Sequence, residues 1–163
     1  MRHWTIEDQE NSVKASIIAS GFLALLFGIY LLEEITLRWF GLAKISDAIG
    51  FSAVFITIFF IRAIWKFPKM MSYGWRLKEI KGEFQDEYLR SNFQRATTLA
   101  FQLMILIGFL CYIVSNVLVN KGDPAWISYK LVTLLPVFVG LLSFYLSLRK
   151  VLDEQDGSAG DNQ

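Results

Sequence analysis

Four long apolar stretches, separated two and two by one charged segment, dominate the pattern of hydrophobic and polar positions along the chain. No charged residue interrupts residues 15–32, 96–120 or 131–148, and a shorter charge-free stretch, residues 48–61, stays apolar past Arg62. At about 1.5 Å per helical residue, about eighteen residues cover most of a hydrocarbon core roughly 30 Å thick. The pattern therefore predicts four helices that cross a membrane.

The predicted fold is all-α, a transmembrane four-helix bundle with up-down-up-down topology that occupies a single membrane domain, residues 1–152. The spans are expected at about residues 15–33, 45–65, 96–119 and 127–149. The second span is expected to place Asp47 and Arg62 in opposite head-group regions, because such side chains snorkel toward water. The polar residues 153–163 are expected to form a disordered acidic tail.

The connector between spans 2 and 3, residues 67–95, changes character along its length. Five basic residues near the exit of span 2 suit an anionic lipid surface, although determining the topology is an equally good role for them: Lys66, Lys69, Arg76, Lys78 and Lys81. From Leu77 onward, apolar positions step by three or four, which predicts an amphipathic cytoplasmic helix in the connector. From near Asp86 we expect the helix to run straight into the third span. Acidic residues follow the basic ones directly, so nucleic acid is not an expected partner.

Charged residues in the second part of the connector are candidates for contact with a partner: Glu79, Glu83, Asp86, Glu87 and Arg90. Three of the glutamates step by four along one face, and Asp86 precedes Arg90 by four residues, the favourable order for a helical ion pair. A carboxylate ridge of this kind could bind a basic partner or a metal ion. We favour a solvated helix face.

The distribution of the basic residues predicts the orientation of the chain. Hydrophobic residues make up 54% of the sequence, and the formal net charge of +1 carries little information by itself. Of the sixteen Lys and Arg residues, four fall on one side of the predicted membrane, namely Arg38, Lys44, Lys121 and Lys130, and the other twelve fall on the side of the termini and connector. Cytoplasmic loops are enriched in basic residues. Both termini and the connector are therefore expected to be cytoplasmic.

Small residues recur at every fourth position of the first span, at Ser16, Ser20, Ala24 and Gly28. Residues with this spacing share one helix face, and small side chains let a neighbouring backbone approach closely. Packing within the same bundle is the favoured interpretation. A seam between two copies of the chain is the alternative.

Several polar groups in or beside the spans carry more specific expectations. Glu34 and Arg38 have the spacing of a surface ion pair if the helix continues that far. Gln102 is expected to lie between helices, because an amide in hydrocarbon requires a hydrogen-bond partner. Pro136 leaves the carbonyl of the preceding turn without its usual donor, and Thr133 is placed to satisfy it.

The segment of residues 86–92, followed by Arg95, Ala96 and an apolar span, resembles a pattern in small bacterial four-span inner-membrane proteins of unassigned function. In those proteins an acidic pair and an Asn-to-Arg-Ala step lead into the third helix. The resemblance implies a multi-pass protein of the bacterial cytoplasmic (inner) membrane, with no catalytic activity.

Residues that would indicate catalysis or a cofactor are scarce in this sequence. His3 is the only histidine and lies in the N-terminal tail, and Cys111 is the only cysteine and lies in an apolar stretch. No enzymatic activity, cofactor or metal site is therefore predicted. The expected partners are the lipid bilayer, with anionic lipid at the connector, and either a membrane protein or a second copy of the chain.

Two hypotheses for the function follow. In the first, the protein is non-enzymatic and acts through contacts of its helices and its connector with a partner or with itself. In the second, several copies form a pore or a small-molecule transporter, lined by Ser16, Ser20, Gln102, Ser115 and Thr133. Convergence of these polar residues on one cavity would favour the second hypothesis.

Overall fold

The computed structural model describes residues 6–66, 86–120 and 128–160, and four long helices account for nearly all of them. These are α1 (Ile6–Phe40), α2 (Ala43–Lys66), α3 (Glu87–Asn120) and α4 (Tyr129–Gly160). Each helix contains a segment long and apolar enough to cross a membrane. The predictions of an all-α fold and of four helices long and apolar enough to span a membrane are confirmed.

Most of the connector lies outside the described residues. This applies to four of the predicted lipid-surface residues, Lys69, Arg76, Lys78 and Lys81, and to Glu79 and Glu83 of the predicted contact set. Lys66 is the last residue of α2. The amphipathic helix before Asp86 therefore stays a prediction.

A two-residue turn joins α1 to α2, which is shorter than the loop that the charge pattern indicates. Gly41 has a left-handed backbone with φ of 66°, and no atom lies within 4 Å of where its Cβ would be. Glycine adopts this conformation without the steric cost that other residues carry. The N–H of Leu42 then donates to the carbonyl of Thr36 at 3.3 Å, and α2 begins at once. The charged residues 33, 34 and 38 are therefore helical.

The helices pack in the spatial order α2, α1, α4, α3, with α1 and α4 at the centre. Contacts between α1 and α4 run in opposite order along the chain, since Gly21 faces Tyr145 and Gly28 faces Phe138. Helices α1 and α2, joined by the two-residue turn, also run in opposite directions. Phe22 of α1 stacks on Phe60 of α2, with ring centroids 3.7 Å apart. Helices α2 and α3 form the two outer members.

A small apolar core lies at the end of the bundle that holds Gln9 and Asp86, called here the N-terminal end; the opposite end, near Gly41, is called the turn end. The core residues come from α1, α3 and α4: Val13, Ile17, Leu89, Phe93, Ala96 and Leu148. The ring of Phe93 meets that of Phe144 edge to face, with centroids 5.5 Å apart. The Oε1 atom of Gln9 accepts a hydrogen bond from the backbone N–H of Asp86 at 3.3 Å.

Asp86 begins α3 as its N-cap residue. Its carboxylate accepts hydrogen bonds from the backbone N–H groups of Tyr88 at 2.8 Å and of Leu89 at 3.2 Å. These are donors that lack partners in the first turn of a helix, and an aspartate is a preferred residue for satisfying them. The helix then continues into the apolar stretch, as the sequence indicated. The Asp86 carboxylate forms this cap and does not pair with Arg90, so the predicted Asp86–Arg90 ion pair is wrong.

Helix α4 extends beyond the point where the sequence pattern predicts its end. It continues to Gly160, eight residues into the segment expected to be disordered. Leu152 packs against the apolar core, and Arg149 lies 3.9 Å from Asp153, one helical turn on. Propagation of an existing helix lacks the nucleation cost that opposes an isolated one. For residues 153–160 the structure thus differs from the predicted disordered tail.

Candidate functional site

The small residues of the first span lie within the packing of the chain's own helices. Ser20 and Ala24 are buried, and Gly28 faces the ring of Phe138 on α4. The hydroxyl of Ser16 donates to the carbonyl of Ser12 at 3.0 Å, and that of Ser20 donates to Ile17 at 3.1 Å. Both serines therefore satisfy their hydroxyl groups on their own helix, and they act in the packing as small side chains.

Two glycines of α1 form flat seats for aromatic rings of α4. A Cβ on Gly21 would come within 2.8 Å of two ring carbons of Tyr145, and one on Gly28 would come within 3.0 Å of Phe138. The glycines are seven residues apart, and so are the rings. This regular pairing was not predicted. The signal in the sequence was present, because the glycine spacing on α1 matches the aromatic spacing on α4 in antiparallel order.

A third glycine brings α3 and α4 together. A Cβ on Gly140 would lie 3.4 Å from the backbone carbonyl oxygen of Ala100 and 3.3 Å from Cβ of Met104. Gly108 faces Pro136 in the next layer. The hydroxyl of Thr133 donates to the carbonyls of Tyr129 and Lys130, not to the carbonyl that Pro136 leaves free, so that prediction is wrong. A threonine side chain reaches carbonyls three and four residues before it, whereas the carbonyl that Pro136 leaves free is that of Val132, only one residue before Thr133.

At the turn end, a buried carboxylate ties two helices together. Only 6% of the Glu34 side chain is exposed, and the carboxylate forms an ion pair with Arg38 of α1 and lies 3.8 Å from the Nζ atom of Lys130 of α4. The hydroxyl of Ser128 also hydrogen-bonds to it. Ser128 in turn accepts a hydrogen bond from the backbone N–H of Leu131 at 3.1 Å and so caps α4. The predicted Glu34–Arg38 pair is confirmed, but it is buried on its acidic side.

Glu33, the neighbour of Glu34 in sequence, serves a different helix. Its carboxylate lies against Gly50 of α2, where a Cβ would be 3.0 Å from both Cδ and Oε1. Its backbone carbonyl accepts a hydrogen bond from the buried hydroxyl of Ser46 at 3.1 Å. The two carboxylates therefore diverge, as expected for adjacent residues about 100° apart on a helix. Among the described residues, no group of three or more His, Cys, Asp and Glu side chains could hold a metal ion.

An apolar groove of about 990 Å³ runs along the α1–α4 contact. Its floor includes Gly21 and Gly28, and its rim on α1 carries the exposed side chains Ile18, Leu25 and Leu32. Polar side chains line it at one end only, namely those of Tyr145, Arg149 and Asp153. The groove is thus a long apolar channel along the helices with a charged mouth at the N-terminal end.

The residues proposed to line a pore do not converge on this groove. None of Ser16, Ser20, Gln102, Ser115 and Thr133 lines it. The hydroxyl of Ser115 donates to the carbonyl of Cys111 at 2.7 Å, so it too is satisfied within its own helix. The four hydroxyl groups of this set all bond to backbone of the helix that carries them.

Gln102 is exposed on the outer surface of α3, and the prediction that it lies between helices of the bundle is wrong. The contacts of α3 with α4 use Ala100 and Met104. At about 100° per residue, position 102 lies roughly 160° around the axis from either of them. Between residues 97 and 117 of α3 no residue is buried. This helix therefore presents a large apolar surface with one amide in it.

Three residues of the predicted connector contact set are described, and all three stand at the start of α3. Asp86 caps α3, whereas Glu87 and Arg90 are exposed in its first turn.

Comparison with protein-family models, with curated proteins and with solved structures returns no match. The resemblance to small bacterial four-span proteins therefore stays a prediction.

Proposed function

We propose that the protein is a non-enzymatic, multi-pass protein of a bacterial inner membrane that acts through helix contacts, and that α3 is the surface by which it binds a second copy of itself. Its helices would cross the membrane in up-down-up-down order, with both termini in the cytoplasm. The observation that carries the proposal is the amide of Gln102 on the outer face of α3.

Gln102 lies inside the third predicted span, where an amide exposed to lipid is unfavourable. It lies seven residues after Arg95, about 10 Å along the helix axis. Among the described residues, its amide has no hydrogen-bond partner. Burying an amide without a partner costs roughly 1–3 kcal/mol by protein-derived values, and interhelical hydrogen bonds contribute about 0.6–2 kcal/mol in membranes. A neighbouring helix that pairs with the amide would remove the cost.

A second copy of the chain is the simplest partner of this chemistry. A glutamine amide is both donor and acceptor, so two copies related by a two-fold axis satisfy each other. Exposed residues recur at seven-residue spacing along the same stripe, at Gln102, Phe109 and Asn116. This spacing keeps them in one row along a helix–helix seam. The seam would therefore have a polar pair at two depths with an aromatic residue between them.

Energy transfer between two fluorescently labelled populations of the full-length protein in lipid vesicles tests the proposal. Gln102→Leu should weaken self-association roughly 3- to 30-fold, the factor that corresponds to about 0.6–2 kcal/mol. Thr97→Val is the matched control, because the Thr97 hydroxyl already donates to the carbonyl of Phe93 at 2.9 Å. Gln102→Asn should retain part of the association. Equal association of wild type and Gln102→Leu, or none in either, would refute the proposed seam.

The cytoplasmic connector would supply a second kind of contact. The five basic residues near the exit of span 2 would lie on anionic lipid, and the exposed Glu87 and Arg90 would remain accessible to a partner at the start of α3. The alternative function, an oligomeric pore or small-molecule transporter, has weaker support. Its candidate lining hydroxyls are satisfied within their own helices and lie outside the groove.

A further inference from the structure

We infer that the groove between α1 and α4 binds one phospholipid with a zwitterionic, amine-bearing head group. Its acyl chain would lie in the groove beside the rings that cover Gly21 and Gly28, its phosphate on Arg149 and its ammonium on Asp153. Shape, exposure and charge each support this assignment, and it is independent of self-association through α3.

The groove has the dimensions and surface of an acyl-chain site. Its volume of about 990 Å³ is at the upper end of the roughly 300–1,000 Å³ that small-molecule sites occupy. One leaflet of a bilayer is about 15 Å deep, half of a core of roughly 30 Å. Measured from Arg149, this depth corresponds to about ten helical residues. An acyl chain would therefore run beside the α1–α4 contact, from the level of Tyr145 and Gly21 to the level of Phe138 and Gly28.

The open side of the groove faces the surroundings of the bundle. Ile18 and Leu25, which form its rim, are 52% and 53% exposed. A lipid could enter sideways from the bilayer without any movement of the helices. The rings of Tyr145 and Phe138, which rest on Gly21 and Gly28, form part of the apolar lining.

Charge complementarity at the mouth selects the head group. The guanidinium of Arg149 donates to the hydroxyl of Tyr145 at 2.9 Å and lies 3.9 Å from the carboxylate of Asp153. Arginine carries five N–H donors in a planar fork that matches phosphate oxygens. Asp153 beside it would repel an anionic head group and attract an ammonium. A head group that has both charges fits the pair, whereas a purely anionic one fits only half of it.

The test is native mass spectrometry of the full-length protein purified in detergent with equal amounts of phosphatidylethanolamine, phosphatidylcholine and phosphatidylglycerol. Phosphatidylethanolamine should be retained best, because its ammonium donates hydrogen bonds to Asp153 and the quaternary amine of phosphatidylcholine has no N–H. Arg149→Gln should reduce retention about tenfold, as expected for loss of a charge-assisted contact. Asp153→Asn should shift the preference toward phosphatidylglycerol.

Two matched tryptophan variants separate the groove from the rest of the surface. Leu25→Trp fills the groove from its rim and should abolish retention, whereas Leu146→Trp, equally exposed on α4 but outside the groove, should leave it unchanged. Gln102→Leu should also leave it unchanged, whatever that variant does to self-association. Equal retention of the three lipids, or equal effects of both tryptophan variants, would overturn the assignment. It would also fail if Leu25→Trp reduced self-association and not lipid retention, since the groove would then seat a helix of the second copy.

Discussion

At the scale of single residues, the adjacent acids Glu33 and Glu34 show how one helix fixes two neighbours. The Glu34 carboxylate meets Arg38 and Lys130, and the Glu33 carboxylate lies against Gly50 of α2. The sequence predicted the Glu34–Arg38 pair, because that pair depends only on helical spacing. The burial of Glu34 was not predictable, because it depends on where α4 begins.

Glu34→Gln should destabilise the protein, because it leaves two cations beside a buried neutral amide. The expected loss is about 1–3 kcal/mol, the usual cost of removing one member of a buried polar pair. Arg38 and Lys130 are partly exposed, with 37% and 55% of their side chains accessible, so water offsets part of the effect. Thermal unfolding in detergent measures it.

Glu33→Gln is the control for this change, since it makes the same isosteric substitution one residue earlier. Among the described residues the Glu33 carboxylate has no ion pair. The free energy of unfolding of the variant should therefore lie within about 0.5 kcal/mol of the wild-type value. If both variants unfold alike, the ion cluster around Glu34 contributes nothing beyond bulk charge.

At the scale of helices, the sequence predicts that each helix exists better than it predicts where the helix ends or which helix it packs against. Existence and type of the four helices follow from long apolar runs. Their ends do not, because Glu33, Glu34 and Arg38 lie inside α1 although they interrupt the apolar pattern. Partners are harder still, since a membrane helix is apolar on all sides and lacks the amphipathic stripe that marks the buried face of a soluble helix. Small residues are the remaining signal.

The glycine seats give this packing a quantitative test. Gly21→Leu and Gly28→Leu should each lower the free energy of unfolding by about 1–3 kcal/mol, because the added side chain displaces a ring of α4. The effect should be larger at Gly21, where a Cβ would lie 2.8 Å from two ring carbons. Ala48→Leu, at an exposed position of α2, is the control and should be near neutral.

A size exchange distinguishes a ring clash from a general effect of the larger residue. Tyr145→Ala opens the seat above Gly21, so combining it with Gly21→Leu should recover part of the lost stability. The coupling between the two changes should be about 0.5–3 kcal/mol, the range for residues in contact. Additive losses in the double variant would mean that Tyr145 does not rest on Gly21.

At the scale of the whole molecule, the same four helices carry contacts of two kinds. Contacts inside the bundle use glycines, and serines whose hydroxyl groups hydrogen-bond within their own helix. These contacts involve α1 and α4. In the proposed self-association, the outer contacts are those of α3, whose segment 97–117 has no buried residue. The sequence predicted the small residues of α1 as contact points. It did not predict that Gln102 lies outside the bundle, because composition does not reveal which side of an apolar helix faces a neighbour.

The orientation of the molecule in the membrane is the last prediction. Tyr73→Cys and Gly122→Cys, each made in a Cys111→Ala background, report opposite sides when intact cells are treated with a membrane-impermeant thiol reagent. Gly122→Cys should react from outside, and Tyr73→Cys should react only after permeabilisation, because twelve of the sixteen basic residues are predicted to lie on the side of the termini and connector. Replacing the five connector cations with Gln should then give a mixed population, in which part of the Tyr73→Cys protein reacts from outside. Replacing an equal number of Gln and Asn residues outside the spans with Ser leaves the charge unchanged and should leave the labelling unchanged. Labelling of Tyr73→Cys in intact cells with all cations present would reverse the proposed topology, and it would place the mouth of the groove, at Arg149 and Asp153, in the outer leaflet instead of the inner one.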